Sequence, residues 1–156
     1  MARRVFFSFQ FSEDNWRASV VRKSGVTQDR EDSGFFDSAE WEEVKKKTDA
    51  EIKKWINGQM KGCSVTVVLV GSKTCESKWV KYEIERSIEV GKGLLEIDIS
   101  KIKDKDGNTS KKCGQMFPNL FKNYEWKACK NYEWKDDNGY ENMGDWIRKA
   151  AEDAGR

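Results

Sequence analysis

Short apolar runs recur along the chain at a pitch of about thirty residues, the length of one strand plus its helical crossover. They are Val5 to Phe9, Phe35 with Phe36, Val65 to Val70, and Leu94 to Ile99. Such β-α alternation with short connections predicts an α/β fold with a doubly wound parallel sheet. Val65 to Val70 is nearly continuous in β-formers and is bounded by Gly62 and Gly71, as expected of a central strand covered on both faces. Leu95, Ile97 and Ile99 alternate with Glu96 and Asp98, so that strand lies nearer an edge.

Helical spacing fills the intervals. Thr48 and Glu51 form a capping-box pattern ahead of a stripe of Ile52, Ile56 and Met60 joined by Trp55. Met143, Trp146, Ile147, Ala150, Ala151 and Ala154 line one face of a C-terminal helix. Residues 12–24 predict a weaker helix with Trp16, Val20 and Val21 inward. A further helix starts near Ser77 and buries Val80, Ile84 and Ile88; Glu83 falls beside that stripe, while Glu85 and Glu89 fall on the polar face.

From Lys101 to Lys135 the rhythm breaks. Asp104, Asp106 and Asn108 suggest a calcium loop, but Thr109 and Gln115 stand where that loop needs Gly and Glu. The hexapeptide KNYEWK then occurs at 122–127 and again at 130–135, with aromatic and charged residues alternating at strand spacing. This predicts an irregular, hairpin-containing insertion near the C-terminal edge, its rings packed on the sheet rather than stacking bases. All 156 residues are expected to form a single domain.

Composition narrows the chemistry. The 29 Lys and Arg nearly balance the 27 Asp and Glu, which weakens a nucleic-acid reading. There is no His, so Ser-His and Cys-His nucleophile pairs are ruled out and carboxylates lead as reactive groups. Cys63, Cys75, Cys113 and Cys129 make no CxxC pair, and no metal site is expected. The N-terminus lacks a secretory h-region and no apolar run approaches the roughly 18 residues of a membrane span. The expectation is a cytoplasmic protein with reduced cysteines serving mainly as core fillers, and with neither nucleic acid nor membrane as partner.

Ligands of open parallel sheets sit beyond the carboxyl ends of the strands, here Ser8 to Ser12, Asp37 to Trp41 and Gly71 to Trp79. Neither a P-loop nor a dinucleotide fingerprint is present. The residues expected to share one cleft are Phe9, Gln10, Asp37, Trp41, Ser72, Trp79 and Glu83. Asp37 suits either a ribose hydroxyl or a cap on the following turn. Burial beside Trp79 would raise the Glu83 pKa and helix-start amides would lower it, which leaves the sign open.

The segments VFFSFQF, GFFDS, SVTVVLVGSKT and especially SKWVKYEI resemble the Toll/interleukin-1 receptor (TIR) domain, and more closely the TIR-like ThsB proteins of bacterial Thoeris antiphage defence. Trp79 and Glu83 match the WxxxE pattern of that family. The resemblance implies a flavodoxin-like sheet, a catalytic Glu83, and substrate-binding roles for Phe9, Gln10, Asp37, Trp41, Ser72 and Trp79. It further implies cleavage of NAD, as substrate rather than cofactor, to nicotinamide and a cyclic ADP-ribose isomer read by a separate effector protein. Self-association and a phage-derived trigger are open under the same resemblance. Gln10 stands where close relatives commonly carry His. The alternatives are a non-catalytic TIR-like interaction module and a nucleoside deoxyribosyltransferase-like enzyme.

Overall fold

The computed structural model describes residues 4–27, 31–32, 38–114 and 130–156. In chain order the elements are β1 (Arg4–Ser8), α1 (Phe11–Thr27), β2 (Glu31–Asp32), α2 (Ser38–Val44), α3 (Asp49–Met60), β3 (Val65–Val70), α4 (Lys78–Glu89), β4 (Gly93–Asp98), β5 (Lys130–Glu133) and α5 (Gly139–Asp153). The five strands form one sheet in the order β2-β1-β3-β4-β5, and every neighbouring pair is parallel. Phe35, Phe36, Asp37, Cys129 and the first KNYEWK copy lie outside the described residues.

β3 is buried at all six positions, as its continuous apolar run requires of a strand covered on both faces. Successive β1 side chains leave on opposite faces, which divides the core. Val5 and Phe7 pack with Val67, Ile97, Met143, Trp146 and Ile147 on the side of α5. Phe6 packs with Val44, Ile52, Ile56 and Met60 under α2 and α3. Under α4 a third cluster joins Val68, Val70, Val80, Ile84 and Leu94. The α3 capping box is formed, with the Thr48 hydroxyl accepting from the Glu51 amide, and Ser77 caps α4 by accepting from the Val80 amide.

At the second KNYEWK copy, β5 is the edge strand and pairs parallel with β4; Tyr132 stacks on Trp146 with ring centroids 4.0 Å apart, and Trp134 is buried. The second copy therefore packs the sheet edge. Whether a hairpin precedes it falls outside the described residues. Close approach of α5 to the sheet explains Gly93: a Cβ there would meet the Ala150 carbonyl oxygen at 2.6 Å.

Two expectations are corrected. Trp16 does not face inward but is 51% exposed, and the buried face of α1 carries Asp14, Arg17, Ala18 and Val21. That face is partly polar because Arg17 holds down the chain that follows β4. Its Nε donates to the Ile102 carbonyl at 2.7 Å and its Nη2 to the Asn108 carbonyl at 2.9 Å. Asp14 is fully buried, its carboxylate oxygens accept no hydrogen bond among the described residues, and the Arg17 guanidinium is 3.7 Å away. Burial pushes its pKa up to about 6, against the pull of Arg17.

The cysteines are the second correction. Cys63 is a buried core filler, but Cys75 and Cys113 form a disulfide rather than two reduced thiols. The bond ties the one-turn 3-10 helix Thr74–Glu76, which leads into α4, to the segment after β4. Spacing gave no hint of it, because the tertiary path alone brings the two positions together.

Candidate active site

The parallel topology brings the carboxyl ends of β1 and β3 together, and the connections that leave them, with α2 and α3, build a cavity of about 190 Å³. Phe9, Gln10, Phe11 and Ser12 come from the β1-α1 junction, Trp41 and Lys45 from α2 and just after it, Trp55 and Ile56 from α3, and Ser77, Trp79 and Glu83 from the start of α4. Of the residues expected from the sequence, Phe9, Gln10, Trp41, Trp79 and Glu83 share this cavity. Asp37 lies outside the described residues.

Ser72 is not on the cavity wall. After β3 the Gly71 amide donates to the Thr74 hydroxyl at 2.8 Å, closing a tight turn into the 3-10 helix, and Ser77 rather than Ser72 reaches the cavity. Lys45, Trp55 and Ile56 were missed. Trp55 and Ile56 belong to α3 and Lys45 follows α2, and only packing brings those helices to the carboxyl edge of the sheet. The stripe of α3 did identify Trp55 and Ile56 as inward, but inward to a core and to a cavity look alike in one sequence.

Aromatic rings form much of the wall. Phe9 and Phe11 stack with centroids 5.7 Å apart, Phe11 meets Trp41 at 6.0 Å, and Trp41 meets Trp55 at 6.5 Å. Trp79 is set edge-on to Tyr82 at 6.2 Å, and the Lys78 ammonium sits 4.9 Å from its ring centroid. At the wall Lys45 is a cation, paired with Glu42 at 2.8 Å. Gln10 is partly committed: its Oε1 accepts from the Ser12 amide at 3.0 Å and the Ser12 hydroxyl at 2.8 Å at the start of α1. What it can still offer a ligand is the amide N–H pair.

Glu83 is the only carboxylate among the described residues that line the cavity. It is 7% exposed, and its Oε1 accepts from the Ser8 hydroxyl at 2.8 Å. Six residues into α4, it lies past the first turn, where unpaired amides could have stabilised its anion. Desolvation therefore dominates and raises its pKa from 4.5 to about 8, with the Ser8 hydrogen bond opposing. Glu85, which the helical wheel put on the polar face, is not among the lining residues. Among the described residues no group of three His, Cys, Asp or Glu side chains could hold a metal ion.

A doubly wound parallel sheet with a buried carboxyl in an aromatic cavity at its carboxyl edge defines a flavodoxin-like α/β protein. The family described as "Thoeris protein ThsB, TIR-like domain" matches residues 6–104, and the chain belongs to that family. It is similar to ThsB1 of Bacillus cereus (strain MSX-D12), provisionally named a cyclic ADP-D-ribose synthase, with 43% identity over 126 residues. That match covers 80% of this chain and 66% of the relative, so the chain spans just under two thirds of the relative's length.

Proposed function

We propose that this protein cleaves the bond between nicotinamide and ribose in NAD and closes the remaining ADP-ribose into a cyclic isomer that serves as an antiphage signal. The observation that carries the reading is Glu83, a carboxyl held by Ser8 on the wall of an aromatic cavity. The name of the relative ThsB1 points the same way.

The chemistry asks little of the protein beyond this. When the C1′–N1 bond breaks, its electron pair passes to the nicotinamide nitrogen, which leaves neutral and needs no general acid. Positive charge develops on the ribose as an oxocarbenium. An ionised Glu83 beside C1′ would stabilise that charge or hold the ribose hydroxyls, as glycosidase carboxylates do. The rings of Trp41, Trp55 and Trp79 suit a flat, cationic nicotinamide and keep water from the reacting carbon. A cavity of about 190 Å³ is smaller than the roughly 300–1,000 Å³ of a pocket for a whole ligand, so it would take the nicotinamide riboside end, with Lys45 placed for the diphosphate. If a ring nitrogen or hydroxyl of the same ADP-ribose attacks C1′ and loses its proton, the product is cyclic. If water attacks, the product is linear ADP-ribose.

Phe9 and Gln10 would position the leaving group, the latter through its amide N–H groups. Ser72, off the cavity wall, would not touch the substrate, and Asp37 would hold a ribose hydroxyl. We place the reaction in the cytoplasm, where NAD is abundant; no described helix is long and apolar enough to cross a membrane. A separate effector would read the product, and self-association or a phage-derived trigger would control its formation.

Mass spectrometry of NAD incubated with the purified protein, with and without lysate from phage-infected cells, tests the reading. Released nicotinamide with a cyclic product supports it. Intact NAD under both conditions would leave a TIR-like interaction module, and nucleoside exchange without NAD loss a deoxyribosyltransferase-like enzyme.

A further inference from the structure

Beneath α4 runs a buried polar seam that the apolar patterning of its elements does not require. On β1, Phe6 and Ser8 point to the same face, yet Phe6 joins an apolar cluster and Ser8 is a fully buried hydroxyl. A buried hydroxyl without a partner costs stability, and the partner of Ser8 lies 75 residues away, in the Glu83 carboxyl at 2.8 Å. One turn further along α4, the Ser87 hydroxyl donates to the Glu83 backbone carbonyl at 2.7 Å, and Thr66 of β3 lies 2.6 Å from that hydroxyl. With the Ser87 proton committed to the carbonyl, Thr66 is the donor to Ser87. The backbone of residue 83 is thus bonded from below through β3 and its side chain from β1.

We propose that Ser8 is a positioning residue for Glu83, aiming its carboxyl into the cavity and stabilising its ionised form. This deepens the NAD-cleaving reading and rests on it. A Glu side chain has three rotatable bonds, and of the polar groups near it the Ser8 hydroxyl is the one that donates to its carboxyl, at 2.8 Å, while Gln10, Lys45 and Ser77 share the cavity wall. A hydroxyl donor at Oε1 fixes the side chain and favours the anion, because a hydrogen bond to a charged acceptor is roughly twice as strong as to a neutral one. Burial works the other way, raising the Glu83 pKa, and Ser8 is the side chain that opposes it. Ser8 would touch no substrate. It would act through Glu83 alone.

The test uses Ser8→Ala and Ser8→Thr, with Ser8→Cys, which keeps the size and weakens the donor, as a second loss variant should Ser8→Ala fail to fold. Two readouts are taken. The first is the pH profile of kcat/KM for nicotinamide release. The second is the carboxyl 13C titration of Glu83 in protein labelled at glutamate, measured without substrate and assigned by its loss in Glu83→Gln.

Loss of the donor should move the Glu83 titration and the acid limb of kcat/KM upward together by about one pH unit or more, with activity near pH 7 falling at least about tenfold. Ser8→Thr should return both toward wild type. An unmoved Glu83 titration in a folded loss variant overturns the proposal, as does a loss of activity with the acid limb in place, since either makes Ser8 a packing residue. If the wild type releases no nicotinamide, NAD cleavage fails as a function, while the 13C titration still decides whether Ser8 governs the carboxyl.

Discussion

Replacing Glu83 by Gln should abolish nicotinamide release while making the fold less sensitive to alkali. The group that titrates at 4.5 in an unfolded chain titrates at about 8 in the folded protein. Between those values the folded state holds a proton that the unfolded state has released, so stability falls as pH rises. The loss is about 1.4 kcal/mol per pH unit, fully expressed once the folded pKa is passed. For a domain of this size that corresponds to roughly 3–5 °C in Tm per pH unit. Gln keeps the shape, and its carbonyl oxygen can accept from the Ser8 hydroxyl, but it has no proton to lose.

The assay is a set of thermal melts of wild type and Glu83→Gln at pH 6, 7 and 8, paired with nicotinamide release. Asp14, whose folded pKa is raised to about 6, slopes both proteins alike at lower pH and cancels in the difference. The variant should gain on the wild type by roughly 3–5 °C for each unit of pH, while its activity falls by at least about 100-fold. Glu85→Gln, off the cavity, should do neither. A Tm difference that stays constant from pH 6 to 8 would refute the raised pKa. Undiminished activity in Glu83→Gln would refute the catalytic role.

The free enzyme should be inactive while Glu83 is protonated, so kcat/KM for nicotinamide release is expected to rise with pH and level off above about 8. Cys75→Ser with Cys113→Ser should lower stability by about 4 kcal/mol, the chain-entropy value for a loop closed across 38 residues, measured as a shift in the denaturant midpoint. Adding reductant to the wild type should reproduce that shift; a midpoint indifferent to reductant would show that the thiols are unpaired in solution. Gly93→Ala should cost about 1–3 kcal/mol, read by the same melts, because the added Cβ meets α5 backbone that has no side-chain freedom to yield.

Patterning along the chain was enough to determine the parallel α/β sheet, the buried strand Val65–Val70, the cap of α3, the start of α4 near Ser77 and the inward stripe of α5. It also placed Glu83 beside the buried face of α4 and made carboxylates the leading reactive groups. In these elements local spacing and the apolar identity of the buried residues say the same thing, and each turn or strand can be read without knowing its neighbours. Tertiary structure decided the rest. It turned Trp16 outward and Arg17 inward, joined Cys75 to Cys113, exchanged Ser72 for Ser77 at the cavity, and brought Lys45 and Trp55 to its wall. It also set the sign of the Glu83 shift, by burying the carboxyl beyond the reach of the helix-start amides and leaving Ser8 to oppose the desolvation. An apolar side chain is buried wherever it finds other apolar surface, so its burial shows in periodicity. A buried hydroxyl or guanidinium needs particular partners, and here those of Ser8 and Arg17 lie as far as 75 and 91 residues along the chain.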